Sequence, residues 1–459
     1  MIRFPKRFLR PRTLKQGEQD KMRKEQKIFF ALLCAIICSN IHAQDFGFGF
    51  GDYETAGNSN SPIAVSIGGE VSASLLGYAD DFSNGMDHTR LGDIFSGKLN
   101  FSAGTSFADG VINLKLQPSA QPVSIDEAYV RAFFGGLEIE GGLRKLTWGK
   151  ADSFGPLDVI NPLDYSELTD LSDSMNLKIA RPLIHASYRV GSFSKIEGVF
   201  VPTFEPLRYA TEGRWVPAQM AQLNQFQAMG VPVVKDDTST LDYAQVGARF
   251  TTTIGPADFG LQYYYGRLTR PAVTMTLAPP SPVPRAIHFA YNPYHQIGAD
   301  WAQVLFGFNV RAELALNLTG DLSGDDGSVY NPAFLGALGF DRDLVWGINL
   351  NFQCNESIRL MDNKIANNAM LDIEAGADMT STQIIAALSK KFLRDELEAR
   401  AAILYEVEAG DFLIIPSLIW TRDAVSLELS GGIFGGSKDG QFGQYKDNSF
   451  VKVALTYSF

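Results

Sequence analysis

The sequence predicts an all-β fold: a transmembrane, antiparallel, up-and-down β-barrel of about eighteen strands, with sixteen as the alternative, and long extracellular loops. Three observations lead there. Apolar residues recur at a spacing of two over stretches of ten or more residues, and the connections between these stretches alternate between short and long. The chain also ends on an alternating strand, Val451–Phe459 ("VKVALTYSF"), whose last residue is aromatic.

The N-terminus has a different composition. Met22–Lys27 ("MRKEQK") is basic, Ile28–Cys38 is an apolar run of eleven, and Ala43 precedes Gln44. A charged region, a short apolar core and a small residue at the cut describe a secretory signal, here residues 1–43, with translation expected to start at Met22. The run is too short for a spanning helix, which needs about 20 apolar residues. Bulky Ile37 argues against lipoprotein cleavage before Cys38. Without residues 1–43 the chain keeps 30 Lys and Arg against 48 Asp and Glu, a net of −18. So acidic a chain does not hold nucleic acid through a general electrostatic field. Only Cys354 survives cleavage, which excludes an internal disulfide and a cysteine-rich metal site. Residues 44–62 are expected to be a short periplasmic segment and 63–459 the barrel.

Within 63–459 the alternation is strict. Ile63–Gly77 sets Ile63, Val65, Ile67, Val71 and Leu75 against Ser66, Glu70, Ser72 and Ser74. Phe95–Phe107 sets Phe95, Leu99, Phe101 and Ala103 against Lys98, Asn100 and Ser102, and Leu344–Cys354 sets Leu344, Trp346, Ile348, Leu350 and Phe352 against Gly347, Asn349, Asn351 and Gln353. Such a period marks strands with one apolar and one polar face. Strands of soluble sheets run to about 5–6 residues, whereas a strand that crosses a membrane needs about 9–11. Closure satisfies every backbone group and leaves only the apolar face to lipid.

Short connections are expected at Gly135–Gly136, Gly191–Ser194, Ile254–Ala257, Leu393–Asp395 and Arg422–Asp423, and long ones near 147–181, 202–242, 267–293, 319–342 and 435–448. Seventeen strands can be traced, and parity demands one more upstroke, which the segment Ser357–Asp362 would supply. A two-residue hairpin at Gly135–Gly136 predicts facing residues that sum to 271. Arg131 then opposes Glu140 and Glu127 opposes Arg144, all four on the lumen face, while Ala128, Val130, Ala132, Phe134, Ile139, Gly141 and Leu143 point to lipid. A hairpin at Thr421–Ala424 would put Trp420 beside Val425. Phe134, Phe392, Trp420 and Phe459 are expected in a periplasmic aromatic girdle.

Enzyme and metal signatures are weak. "GDIFSGKL" (Gly92–Leu99) approaches a phosphate-binding loop, but Leu99 stands where Ser or Thr would hold magnesium, and the segment runs into a strand. The five histidines, among them His88 in the first outer loop, His185 on a strand, and His288 and His295 flanking "FAYNPY", suit lumen or surface polar groups. No catalytic residue, metal site or cofactor is expected. In Leu146–Leu168 ("LTWGKADSFGPLDVINPLDYSEL"), Asp152, Asp158 and Asp164 stand six residues apart among Gly and Pro. Aspartates in such settings cap backbone amides, so the spacing reads as turn architecture in preference to a calcium or substrate contact.

The run Asp126–Asp164, with its acidic-aromatic strand, its Trp148-Gly149 and its Asn161-Pro-x-Asp164, resembles a bacterial family of porin-like outer-membrane barrels of unassigned function. The resemblance continues through Ala180–Tyr209, Gln245–Pro271, Tyr294–Leu316 and Phe442–Phe459. At Gly142–Lys145 the chain reads Gly-Leu-Arg-Lys where the family more often has Gly-Arg-Gln, which shifts Arg144 by one. The resemblance implies a porin-like barrel in the outer membrane of a diderm bacterium, and it brings no substrate or catalytic residue. Tyr457 and Phe459 resemble the C-terminal signal of outer-membrane barrels.

The expected function is a channel for small solutes, with hydrophobic ones among the candidates. Loop 147–181 would narrow the lumen, and Arg131, Glu140, Glu127, Arg144, Asp152, Asp158 and Asp164 are candidates for the lumen or constriction. Lys98, Arg189, Arg249, Arg311, Glu313, Glu398 and Arg400 are further lumen charges. The alternative is a surface scaffold whose outer loops bind a host or partner molecule. In loop 202–242, Met220, Leu223, Phe226 and Met229 have helical spacing and suit a lid or plug. Expected partners are outer-membrane lipid, the barrel assembly machinery, periplasmic chaperones and the small solutes themselves, but not nucleic acid.

Overall fold

The computed structural model describes residues 63–80, 95–117, 121–171, 174–277 and 283–459. The signal segment 1–43, the start at Met22, the segment 44–62, His88 and Gly92–Ile94 lie outside the described residues. Eighteen strands form one antiparallel sheet that closes on itself. The first half comprises β1 (Ala64–Tyr78), β2 (Phe95–Gly104), β3 (Ala108–Leu116), β4 (Val123–Phe134), β5 (Leu137–Arg144), β6 (Arg181–Val190), β7 (Ser194–Val201), β8 (Gln245–Ile254) and β9 (Ala257–Arg267). The second comprises β10 (Pro293–Leu305), β11 (Phe308–Thr319), β12 (Ala333–Asp343), β13 (Ile348–Arg359), β14 (Thr380–Phe392), β15 (Leu397–Glu406), β16 (Asp411–Arg422), β17 (Val425–Gly435) and β18 (Phe450–Ser458). Each strand pairs with its sequence neighbours, and β18 pairs with β1.

The count agrees with parity, but the eighteenth strand is not where parity put it. Ser357–Arg359 is the end of β13, and the additional strand is the downstroke β12, inside the stretch read as a long connection. Leu344 and Trp346 belong to the turn between β12 and β13, where Trp346 has a φ of 63°.

The hairpin at Gly135–Gly136 has the expected register: Phe134 faces Leu137 and Arg131 faces Glu140. Gly135 has a φ of 64°, in the left-handed region that two-residue hairpins require and that costs glycine little. At the second hairpin the turn is Asp423–Ala424, so Arg422 faces Val425 and Trp420 faces Leu427. The pairing moves by two residues, and a shift of two keeps each side chain on its face.

Outward positions are apolar and exposed: Val65, Ile67 and Leu75 on β1, Val130 and Phe134 on β4, and Val451, Val453, Leu455 and Tyr457 on β18. At the short-turn end the surface carries aromatics, with Phe134 60%, Phe306 94% and Trp346 81% exposed, joined by Phe392 and Phe459. Trp420 is only partly exposed. Between the end of β9 and the start of β10, and in the loop after β7, the chain forms a three-stranded sheet (Val233–Lys235, Ala272–Thr276 and Ala286–Ala290). The loop after β7 also carries the helix α1 (Ala218–Ala228).

Candidate pore constriction and lumen

The inner wall of β3–β10 is a lattice of paired charges. Arg131 donates two hydrogen bonds to Asp109 of β3, at 2.9 and 2.8 Å, in place of the cross-strand partnership with Glu140 that register alone suggested. Glu140 instead accepts from His185 at 3.0 Å, and the other imidazole nitrogen lies 3.4 Å from Glu197. Glu127 accepts from Arg144 at 2.8 Å, from Asn113 at 3.1 Å and from the Lys145 amide at 2.9 Å. Arg144 also stacks over the Tyr129 ring, 4.2 Å from its centroid. Arg249 joins Gln262 and Asp300 at 2.7 and 2.5 Å. These groups occupy one another, so this wall presents little free charge.

The connection from β5 to β6, residues 145–180, turns into the barrel. Its neck is closed by Asn161, whose amide group donates to the carbonyls of Arg144 (3.0 Å) and Ile179 (2.8 Å) and accepts from the Leu146 N–H (2.8 Å). Trp148 is buried against β8 and β9: a side chain on Gly247 would meet its ring at 2.7 Å, and Tyr264 lies in the same cluster. Beyond Trp148 the loop crosses to β11 and β13. Glu313, 1% exposed, accepts the backbone N–H groups of Lys150, Ala151 (2.7 Å) and Leu157 (3.2 Å). Gly149 has a φ of 94°, and a Cβ there would sit 2.2 Å from the Glu313 carboxylate, so this position needs glycine on both counts. Gln353 accepts from the Asp152 N–H at 2.9 Å and donates to the Ser153 carbonyl at 2.5 Å. Gln262 and Gln296 hold the carbonyls of Leu157 and Pro156, each at 3.0 Å.

The three aspartates of the loop separate into three roles. Asp152 faces the lumen and accepts from Arg311 at 2.7 Å and Asn351 at 2.8 Å. Asp158 lies within the folded loop, 2.6 Å from the buried Lys178 ammonium; burial pushes its carboxyl above the usual range while Lys178 opposes that shift. Asp164 caps the Ser166 N–H at 2.9 Å and pairs with Arg208 at 2.8 Å. Turn capping thus describes Asp164, whereas Asp152 and Asp158 hold side chains. Glu313 was legible as a lumen charge. Asn161 was legible only as part of the Asn-Pro-x-Asp motif and Gln353 only as a polar-face position. The anchoring amides Gln262 and Gln296 and the cation Lys178 gave no sequence signal, because a lone amide or lysine does not announce a partner in another segment.

The loop fills the lumen beside β8–β11 and leaves a cavity of about 1730 Å³ along β12–β18. At the short-turn side its wall is polar, with Asn351, Ser389, Glu398, Arg400, Glu428 and Lys452; toward the long loops it is apolar, with Ile385, Leu404, Leu413, Ile415 and Phe450, and beyond these Gln383 and Glu406 line it. Met220, Leu223 and Phe226 of α1 line the long-loop mouth together with Ile287 and Phe289 of the small sheet. Of the other expected lumen charges, Lys98 pairs with Glu70 at 3.0 Å and Arg311 also pairs with Asp341.

Residues 76–392 match a family model described as a protein of unknown function, DUF1302. No curated protein matches the sequence. Among solved structures, Salmonella typhi OmpF in complex with daunomycin is similar at 7% identity and a TM-score of 0.40, over 86% of this chain and 97% of that one. The outer membrane channel DcaP of Acinetobacter baumannii is similar at 10% identity and a TM-score of 0.42, over 87% and 99%. Wzi of Escherichia coli, an outer membrane protein of group 1 capsule assembly and a carbohydrate-binding β-barrel, is similar at 11% identity and a TM-score of 0.44, over 86% and 84%. At such identities no function passes from these proteins to this chain.

Proposed function

For a chain that belongs to the DUF1302 family of unknown function, we propose the role of an outer-membrane channel that conducts small solutes, hydrophobic ones among them, and acts as a conduit rather than an enzyme. The observation that carries this reading is the cavity of about 1730 Å³ that the inward loop leaves open along β12–β18. A barrel that served only as a scaffold has no need of a lumen with unfilled polar walls. The apolar, aromatic-rimmed outer surface supports a location in lipid, with the short turns on the periplasmic side and the long loops outside. Tyr457 and Phe459, on the outward face of the last strand, would serve as the signal read by the assembly machinery. The position of α1 at the mouth, with Met220, Leu223 and Phe226 toward the cavity, supports a lid over the lumen.

The test is reconstitution of the folded barrel in planar bilayers and in liposomes. Discrete current steps and swelling with small solutes are the expected result. A folded, inserted barrel that passes neither ions nor solutes overturns the channel reading.

A further inference from the structure

The charges of the open lumen differ from those of the opposite wall. Arg400 and Lys452 have no hydrogen-bond or ion-pair partner among the described residues, and neither have Glu398 and Glu428. Strand register orders these groups along the pore. Asn349, Ser389, Arg400, Ser417, Ser430 and Lys452 follow one another as direct cross-strand partners from β13 to β18. They form a single row of donors with a cation at β15 and another at β18. Toward the short turns, the next inward-facing row contains Lys391, Glu398, Ile419, Glu428 and Ala454, so that its two carboxylates outnumber its one cation. Toward the long loops the wall turns apolar: Ala387 pairs with Ala402, and beyond them Ile385, Leu404, Leu413 and Phe434 follow in register. Inward-facing rows on a strand are about 7 Å apart, so two apolar rows reach roughly 14 Å above the basic row. Beyond them Gln383 and Glu406, which hydrogen-bond each other at 2.6 Å, edge the vestibule of α1 and the small sheet.

A solute that enters from the long-loop side therefore passes the mutually bonded Gln383 and Glu406, then apolar surface, then cations and hydroxyls, and then carboxylates. We infer that the lumen holds an amphipathic solute with an anionic head, its apolar part against β14–β17 and the vestibule and its head at the row of Arg400, Ser417, Ser430 and Lys452. A neutral apolar solute gains nothing from unpaired cations, and a small hydrophilic anion gains nothing from the apolar rows above them. The carboxylates of Glu398 and Glu428 repel an anion that moves further, so the solute dwells at the basic row. This inference rests on the channel reading only for the direction of entry; the binding site itself does not depend on conduction.

The experiment uses the full chain in lipid nanodiscs and planar bilayers, with decanoate as probe and decanol and decyltrimethylammonium as neutral and cationic controls. Expected are saturable decanoate binding by equilibrium dialysis and transient decanoate block of the current from the long-loop side. Arg400→Ala with Lys452→Ala should weaken both by about tenfold or more, since each removes a charged hydrogen-bond donor. Glu398→Gln with Glu428→Gln should leave binding intact and shorten the block. Equal binding of the three probes, or decanoate binding unchanged in the Arg400–Lys452 variant, overturns the inference. Saturable, carboxylate-selective binding without any current would uphold this site while removing the channel reading. Heat-modifiable gel migration checks that each variant is a folded barrel.

Discussion

Glu313 carries the inward loop through three backbone amides, and the loop answers with a glycine where the carboxylate sits. Each amide N–H left without an acceptor in a buried setting costs about 1–3 kcal/mol. Glu313→Ala is therefore expected to free residues 149–157 from the wall, raising single-channel conductance and opening the loop to added protease. Glu313→Gln keeps one oxygen and should fall between that variant and the parent. Gly149→Ala places a methyl group against the same carboxylate and should act in the same direction as Glu313→Ala. An unchanged conductance and an uncut loop in all three variants would show that the loop is held by other contacts. Arg131 teaches a related lesson. Its facing residue was readable from the Gly-Gly turn, but its partner was not, because a long guanidinium on a sheet reaches either neighbouring strand and Asp109 offers a bidentate site.

At the scale of elements, alternation and turn chemistry located most of the wall, and the failures have physical causes. β12 is hard to see in the sequence because "NPAFLGALGFDRD" opens with turn residues and ends in three charged ones, so only its middle alternates. Trp346 has the spacing of a strand residue but sits in a turn, because a period of two can run on past the end of a strand. The hairpin at Gly135 is the most legible element. Gly135→Val forces a β-branched residue to positive φ, at about 1–2 kcal/mol, and should slow assembly, measured as the fraction of barrel folded over time in lipid. A different element governs the mouth. Replacing Ala218–Ala228 with a Gly-Ser bridge should widen it, raising conductance and hastening solute entry while the barrel still resists heat in a gel. Unaltered conductance after that replacement would mean that α1 does not cover the conducting path.

For the whole molecule, closure is the decisive event. β18 meets β1, and Gly69 and Phe459 exchange two backbone hydrogen bonds of 2.9 Å at the seam. Deleting Phe459 removes both and the aromatic neighbour of Tyr457, whose ring centroid lies 6.3 Å away. The expected outcome is a sharp loss of folded barrel in the outer membrane, read by fractionation and heat-modifiability, with unfolded chain accumulating in the periplasm. Normal yield and migration would exclude a role for the terminal residue in assembly. What the sequence by itself determined is the class of fold, the parity of the strands and which side chains face inward, because a period of two and a hairpin turn are local properties of the backbone. What only the tertiary structure decided is how the interior is divided. Glu313 meets an amide 163 positions away, and Arg400 and Lys452 come into one row across strands. Such meetings depend on the curvature and stagger of a closed sheet, which no local pattern encodes.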